Sequence, residues 1–197
     1  MKLGIVINTY HRPDGKSKRF LSRALNSVKN QKHQDYKVFL IGDKYDPHEE
    51  FMELSRIIDR EKIYHENLDE AKERDKYLSG DKLWCSGGVN SRNYGIEKCL
   101  SEGIDYICNL DHDDYWETHK VATIIKWFGE NPNMEGLMSN GLLIDAKGEI
   151  NSNYFLWDSM SFPFKNVTNN NELKKYINTV ENCATGATMA IKNHLPI

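Results

Sequence analysis

Apolar positions along this chain follow two alternating periods. Leu3-Gly4-Ile5-Val6-Ile7-Asn8 is a nearly unbroken apolar run, the pattern of a strand covered on both faces. Phe20, Leu21, Ala24, Leu25 and Val28 then recur at helical spacing and predict a helix that buries one face. Tyr36 to Ile41 is a second strand-like run, ended by Gly42-Asp43. Phe51, Leu54, Ile57 and Ile58 mark a second helix, and Ile63-Tyr64-His65 a short third strand. Residues 66–82 are polar with no burying period, so they read as either an exposed helix or a mobile loop. Gly87-Gly88 precedes a helix that runs to about Gly103, and Ile104 to Leu110 is the next strand. Val121, Ile124, Ile125 and Phe128 share one face of a further helix, stopped at Asn131-Pro132.

The remaining third has shorter pieces. Gly136 to Ser139 and Leu142 to Asp145 are strand-like. Asp145-Ala146-Lys147-Gly148 reads as a hairpin turn into Glu149-Ile150. Asn171 to Ile177 reads as a helix and Ala187 to Ile191 as a last strand. Strands alternating with helices predict an α/β fold. Its central sheet is mostly parallel, flanked by helices, and mixed in the second half. The 197 residues suit one domain, and neither repeats nor a low-complexity linker divide them.

The net charge of -3 gives no electrostatic reason to expect nucleic-acid binding. No apolar stretch approaches the roughly 20 residues that span a bilayer, and the N-terminus turns polar too soon for a signal peptide. Cys85, Cys99, Cys108 and Cys183 include no Cys-x-x-Cys pair, which argues against a zinc ribbon or a thioredoxin-type site. Cys99 and Cys108 fall in apolar patterns and are expected to pack as small hydrophobes. The expected setting is reducing and cytoplasmic. Asn166-Val167-Thr168 matches a glycosylation sequon, with nothing else to support secretion.

The chemistry concentrates in Asp111-His112-Asp113-Asp114-Tyr115-Trp116, directly after an apolar strand. Carboxylates packed this closely repel unless a cation joins them, and Mg²⁺ or Mn²⁺ prefers such oxygen ligands. The plain alternative is a solvated turn, with Asp114 opening the helix expected near Glu117-Thr118. In an open α/β sheet, ligands bind beyond the carboxyl ends of the strands. Three such ends carry polar residues here: Asn8-Thr9-Tyr10, Asp43 and Asp111-His112-Asp113.

Four segments resemble, in order, the family two glycosyltransferases of the GT-A fold. They are Ile5-Val6-Ile7-Asn8-Thr9-Tyr10-His11-Arg12, Leu40-Ile41-Gly42-Asp43, Gly88-Val89-Asn90-Ser91-Arg92-Asn93-Tyr94-Gly95-Ile96 and Leu110-Asp111-His112-Asp113-Asp114-Tyr115-Trp116, the last matching the family's DxD segment. The resemblance implies a single GT-A (Rossmann-like) domain over residues 1–197. Residues 1–125 would bind the nucleotide-sugar and residues 126–197 would face the acceptor. It implies an inverting transferase that takes a sugar from a UDP-sugar, with Mn²⁺ or Mg²⁺, to a glycan or other hydroxyl acceptor.

Roles follow residue by residue. Thr9 and Tyr10 would line the nucleoside pocket, with Arg12 in the same donor-binding loop, and Asp43 would accept a hydrogen bond from the base. Gly88 would allow close backbone approach at a helix start, where the dipole favours anions. Arg92 would reach the diphosphate or brace the aspartates. Asp113 would be the main metal ligand, and Asp111 would touch the ribose or share the ion. His112 belongs to the donor-binding segment. In an extended segment its side chain diverges from those of Asp111 and Asp113, so it is no metal ligand.

One departure matters. The family's general base is usually an acid beyond a Gly-containing strand that Thr185-Gly186-Ala187-Thr188-Met189-Ala190-Ile191-Lys192 resembles. The chain reaches Ile197 before that acid, so it is either part of a longer protein, with further domains, or uses another base. Asp158 and Glu181 are the candidate bases. Asp158 adjoins Tyr154-Phe155-Leu156-Trp157, which is either core or a sugar platform, and His194 is either a late metal ligand or a surface residue. The rival readings are a nucleotidyltransferase, a phosphatase, and a non-catalytic nucleotide-sugar binding module. The first wants a Gly-rich basic loop after strand one, and the second wants its Asp-x-Asp there; neither is present.

Overall fold

Strand β1 (Leu3–Thr9) alternates its side chains between two buried layers, and that alternation organises the protein. Ile5 and Ile7 point into one layer with Leu21, Ala24, Leu25 and Val28 of helix α1 (Ser17–Lys29). Phe51 and Leu54 of α2 (His48–Ser55) join them, as do Val121, Ile124 and Phe128 of α5 (Lys120–Glu130). Val6 points the other way, into a smaller layer with Phe39, Cys99, Ile104 and Ile107. Burying each large aliphatic side chain contributes about 1.5–3 kcal/mol, so a strand covered on both faces anchors the fold. The computed structural model describes residues 1–76, 88–134, 136–138, 142–144, 150–155 and 189–192.

The six-stranded sheet has the order β3-β2-β1-β4-β8-β5. β2 (Tyr36–Asp43) pairs parallel with β1 and with β3 (Ile63–Leu68), and β4 (Tyr106–Asn109) pairs parallel with β1. β8 (Met189–Lys192) runs antiparallel between β4 and β5 (Gly136–Met138). The sheet is therefore parallel in the first half and mixed in the second, as the alternation of elements predicts. β6 (Leu142–Ile144) and β7 (Ile150–Phe155) form a separate antiparallel pair, as the hairpin reading requires; the turn itself lies outside the described residues. The expected helix at 171–177 also lies outside them.

Several boundaries differ from the sequence reading. β3 extends to Leu68, and the polar stretch after it contributes a short helix, α3 (Lys72–Lys76). α2 stops at Ser55, and Ile58 reaches the core from the turn that follows. α5 begins at Lys120 behind His119, with no side-chain cap. Asp114 is therefore not the residue that opens that helix; its N–H instead bonds Asp111 O at 3.0 Å in a turn. Phe20, grouped with the apolar face of α1, is half-buried and lies among arginines. Cys99 and Cys108 are buried free thiols, as expected, and burial raises both pKa values, that of Cys108 to about 12. Among the described residues no helix is long and apolar enough to cross a membrane.

Helix α4 (Val89–Ser101) covers the smaller layer, and Gly95 is where it touches the sheet. A methyl group at position 95 would come within 2.6 Å of Val6 Cγ1 and 3.2 Å of Ile41 Cγ1. Both partners are fully buried and cannot step aside. Gly95→Val is expected to lower stability by about 2 kcal/mol or more through overpacking. Thermal unfolding followed by circular dichroism should then show a drop of about 4–8 °C. An unchanged melting temperature would mean that the α4–sheet contact yields.

Candidate active site

Parallel pairing brings three strand ends to one edge. Thr9 of β1 is level with Gly42, one residue before Asp43, and β4 ends at Asn109, two residues before Asp111. The expected convergence of Thr9, Tyr10, Asp43, Asp111 and Asp113 is therefore present. Every strand that supplies it runs in the same direction.

Asp43 is 1% exposed. Arg74 of α3 approaches its Oδ2 at 2.8 Å, but the guanidinium N–H is directed at the Asp43 main-chain oxygen, 2.5 Å away. Neither carboxylate oxygen receives a directed hydrogen bond. Burial raises the Asp43 pKa more than Arg74 lowers it, and burial lowers the Arg74 pKa more than Asp43 raises it. Desolvation thus outweighs mutual attraction in both partners, as in many buried ion pairs. Arg74 also lies over the Tyr10 ring, with Cζ 3.7 Å from its centroid, and His112 meets that ring in a T-shaped contact at 5.1 Å.

The aspartates of the cluster are held by arginines. Arg92 Nη2 donates to Asp111 Oδ1 at 2.6 Å and lies 3.5 Å from Asn8 Oδ1. Arg12 Nη1 donates to Asp113 Oδ2 at 3.2 Å, and Arg23 Nη2 donates to the main-chain oxygen of Asp113. Among the described residues no three or more His, Cys, Asp or Glu side chains converge as a complete metal cage. Two carboxylates at one edge still fit a cation whose remaining ligands are diphosphate oxygens and water, the usual arrangement for Mg²⁺. Part-exposed arginine pairs of this kind are worth about 0–1 kcal/mol, so a divalent ion can displace them.

His112 is 6% exposed, whereas the side chains of Asp113 and Asp111 are 43% and 28% exposed. The segment is a turn, closed by the Asp114 N–H on Asp111 O, so the alternation expected of an extended segment does not apply. His112 is buried where the two aspartates are part-exposed, and burial lowers its pKa. Gly88 has a φ of 80°, and a Cβ there would sit 2.5 Å from Asn8 Nδ2. Close backbone approach is thus real, and the group it admits is the Asn8 side chain. Gly88 starts α4, and Glu73 Oε1 accepts from the Asn90 N–H at 2.9 Å in its first turn.

Burial, then Asp111 and Asp113, push the Asp114 pKa up from 3.8 to about 6. The folded state therefore binds this proton more tightly than the unfolded chain does. The charge of Asp114 costs stability above about pH 6, and that cost vanishes below about pH 4. The full gap corresponds to about 3 kcal/mol. Water reaching the part-exposed carboxyl reduces it to about 1–2 kcal/mol. Asp114→Asn is expected to melt higher than the parent near pH 7 in chelator and to match it near pH 4. A variant that melts lower at both would show that the carboxylate is needed in its charged form.

The buried side-chain atoms that lack a directed partner gather at this edge. Among the described residues they are Thr9 Oγ1, both Asp43 oxygens, Glu73 Oε2, Arg92 Nε, Asn109 Oδ1 and His112 Nε2. Leaving such a group unsatisfied costs about 1–3 kcal/mol, so native structures seldom collect them without a ligand to complete them. The candidate bases Asp158 and Glu181, together with Trp157 and His194, lie outside the described residues. Sequence reasoning missed Arg74, Glu73 and Arg23, and named Asn8 at its strand end without giving it a role. Arg74 and Glu73 sit in the aperiodic polar stretch, where nothing local distinguishes them from solvated charges.

The family model of glycosyl transferase family 2 matches residues 4–189. An uncharacterised glycosyltransferase of Acanthamoeba polyphaga mimivirus is 36% identical over 133 residues, covering 68% of this chain and 53% of that protein. A second, from Nostoc sp., is 24% identical over 146 residues, covering 74% of this chain and 38% of that protein. The chain thus spans about half or less of these relatives' length. Among solved structures, residues 1–349 of S. aureus TarS align with a TM-score of 0.53 at 17% identity, over 70% of this chain and 35% of that one; the same protein has been solved in complex with UDP. The mannosyltransferase PcManGT from Pyrobaculum calidifontis, in complex with GDP-Man and Mn²⁺, aligns with a TM-score of 0.54 at 9% identity, over 96% of this chain and 44% of that one. Likeness at these identities establishes the α/β fold.

Proposed function

The chain belongs to glycosyl transferase family 2, and from that premise we propose that it moves a sugar from a UDP-sugar to an acceptor hydroxyl with the help of Mn²⁺ or Mg²⁺. The carrying observation is the gathering of unpartnered buried polar atoms around Asp43, Asp111 and His112 at the carboxyl edge of the sheet. A ligand rich in donors and acceptors, with a base at one end and a diphosphate at the other, completes them.

The base end is the more specific. A buried carboxylate whose oxygens receive no directed hydrogen bond suits the N3–H of uracil or thymine, or the N1–H of guanine. Cytosine N3 and adenine N1 are themselves acceptors, so a charged Asp43 disfavours them. Tyr10 offers a ring for stacking, and Arg74 moves off it or contributes a hydrogen bond to the base edge. Thr9 Oγ1, buried without a hydrogen-bond partner, would bond the nucleoside. Arg92 serves the diphosphate end, where its fork matches phosphate oxygens.

A cation bound by Asp113 with Asp111 would act as a Lewis acid that steadies the departing diphosphate. Arg12 and Arg92 are the groups that yield those carboxylates, and both then face phosphate. Residues 1–125 form the donor half in this reading and 126–197 the acceptor side. Asp158 and Glu181 remain the candidate bases for the acceptor hydroxyl.

Calorimetric titration with UDP, GDP, dTDP and CDP, each with and without Mn²⁺, tests the proposal. UDP is expected to bind in a metal-dependent, saturable manner and CDP weakly or not at all. Binding of none of the four would overturn the proposal. Metal-dependent UDP binding without hydrolysis or transfer of any UDP-sugar would make the chain a binding module.

A further inference from the structure

Phe20 breaks the apolar face of α1, and its surroundings explain why. The guanidinium carbons of Arg12, Arg19 and Arg23 lie 5.4, 5.1 and 5.4 Å from its ring centroid. Three positive charges therefore sit within 5.4 Å of one point. Arg23 also lies 4.9 Å over the ring of Tyr115, which is 39% exposed.

Cation–π contact offsets part of the repulsion among these groups. Carboxylates offset less than the local sequence suggests. Arg12 is committed to Asp14 and Asp113, both at 3.2 Å, and Asp14 also faces Lys16 at 3.6 Å. Arg23 gives an N–H to the Asp113 main-chain oxygen and feels the charge of Asp114 without an ion pair to it. Arg19 contacts the Phe20 ring and makes no ion pair among the described residues. The Arg19 fork and the Arg23 donors not given to the Asp113 main-chain oxygen are thus left for an anion on the α1 side of Asp113. One carboxylate is filled by a single fork, whereas a phosphate group has enough oxygens for two.

The cluster lies away from the base end. Contacts run from Asp43 through Arg74 and Tyr10 to His112, and the arginines begin one residue later, at Asp113. The donor's diphosphate already has Arg12, Arg92 and the Asp113 cation in the reading above, which leaves Arg19 and Arg23 of the cluster. We propose that Arg19 and Arg23, backed by Phe20 and Tyr115, bind a phosphate group carried by the acceptor. Its assignment to the acceptor rests on the transferase reading; the anion site rests on the arginine geometry alone.

The test follows the Nε–H resonances of Arg19 and Arg23 by NMR while the full chain is titrated with glycerol phosphate. Sodium chloride of matched ionic strength is the control. Both resonances are expected to shift saturably, and to do so equally when UDP and Mn²⁺ are already bound. Arg19→Ala is expected to weaken the phosphate about tenfold, the loss of one charge-assisted contact, with UDP affinity unchanged. Shifts no larger than those in chloride, or shifts abolished by UDP, would overturn the proposal. The second result would assign the arginines to the donor. Saturable shifts in a protein that binds no nucleotide would leave the anion site standing and remove the transferase reading.

Discussion

Asp113→Ala is expected to lose metal-supported UDP binding by about 100-fold or more, since removing even a group that merely supports a metal ligand costs 10–100-fold. Metal-free binding should be at least as tight as in the parent. The two expectations have one source. In the ligand-free site the Asp113 carboxylate is the partner of Arg12 at 3.2 Å, with 43% of its side chain exposed. A pair this exposed is weak, so a divalent ion can take the carboxylate and release the arginine. Deleting the carboxylate also releases the arginine but removes the place for the ion. Arg12, left with Asp14 as its carboxylate partner at 3.2 Å, then faces the diphosphate, and Mn²⁺ no longer adds affinity. Titration of parent and variant with UDP, in Mn²⁺ and in chelator, separates the effects. A variant that binds Mn²⁺-UDP as the parent does would remove Asp113 from the site and leave the aspartate cluster as a turn.

How far the sequence reaches is visible in the same residues. The strands of the first half are legible because both faces of the sheet are buried: Ile5 and Ile7 serve one layer and Val6 the other, which forces a continuous apolar run. Thr9, Asp43 and Asp111 are legible as a set because parallel strands end on one side. Their partners are not. Arg74 reaches Asp43 and Tyr10 from a five-residue helix whose sequence, Lys-Glu-Arg-Asp-Lys, has no burying period. Only the folded arrangement shows that two of these charges, Glu73 and Arg74, turn inward. Phe20 illustrates the converse: spacing assigns it to the core, yet guanidinium groups on its own helix and on the preceding loop surround it. Asp114 resembles a helix cap by composition, but the turn at Asp111 and the start of α5 at Lys120 leave it half-buried with no helix to cap.

Asp43→Asn should separate binding from stability more cleanly than any other substitution here. Asp43 and Arg74 form a buried ion pair, and removing one partner of such a pair ordinarily costs about 3–5 kcal/mol. Two observations make this pair different. Arg74 keeps the Asp43 main-chain oxygen and the face of Tyr10, which the substitution leaves in place. Burial already holds the Asp43 pKa above the ordinary carboxylate range, so the folded state disfavours the charge that asparagine removes. That penalty is present above the folded pKa of Asp43 and absent below its unfolded value. The variant is therefore expected to melt no lower than the parent near pH 7, with an advantage that fades as the pH falls.

Nucleotide binding should move the other way. An asparagine presents an N–H₂ group or a weaker neutral acceptor where the base offers its own N–H, and a hydrogen bond to a charged group is worth about 1.5–3 kcal/mol. UDP affinity should fall about 10–100-fold by the same measure. CDP should gain, because cytosine N3 accepts what the amide donates. Paired titrations with UDP and CDP read this exchange directly. Loss of both nucleotides together with a lower melting temperature would make Asp43 a structural partner of Arg74. A shift in preference toward CDP at constant stability would make it the residue that reads the base.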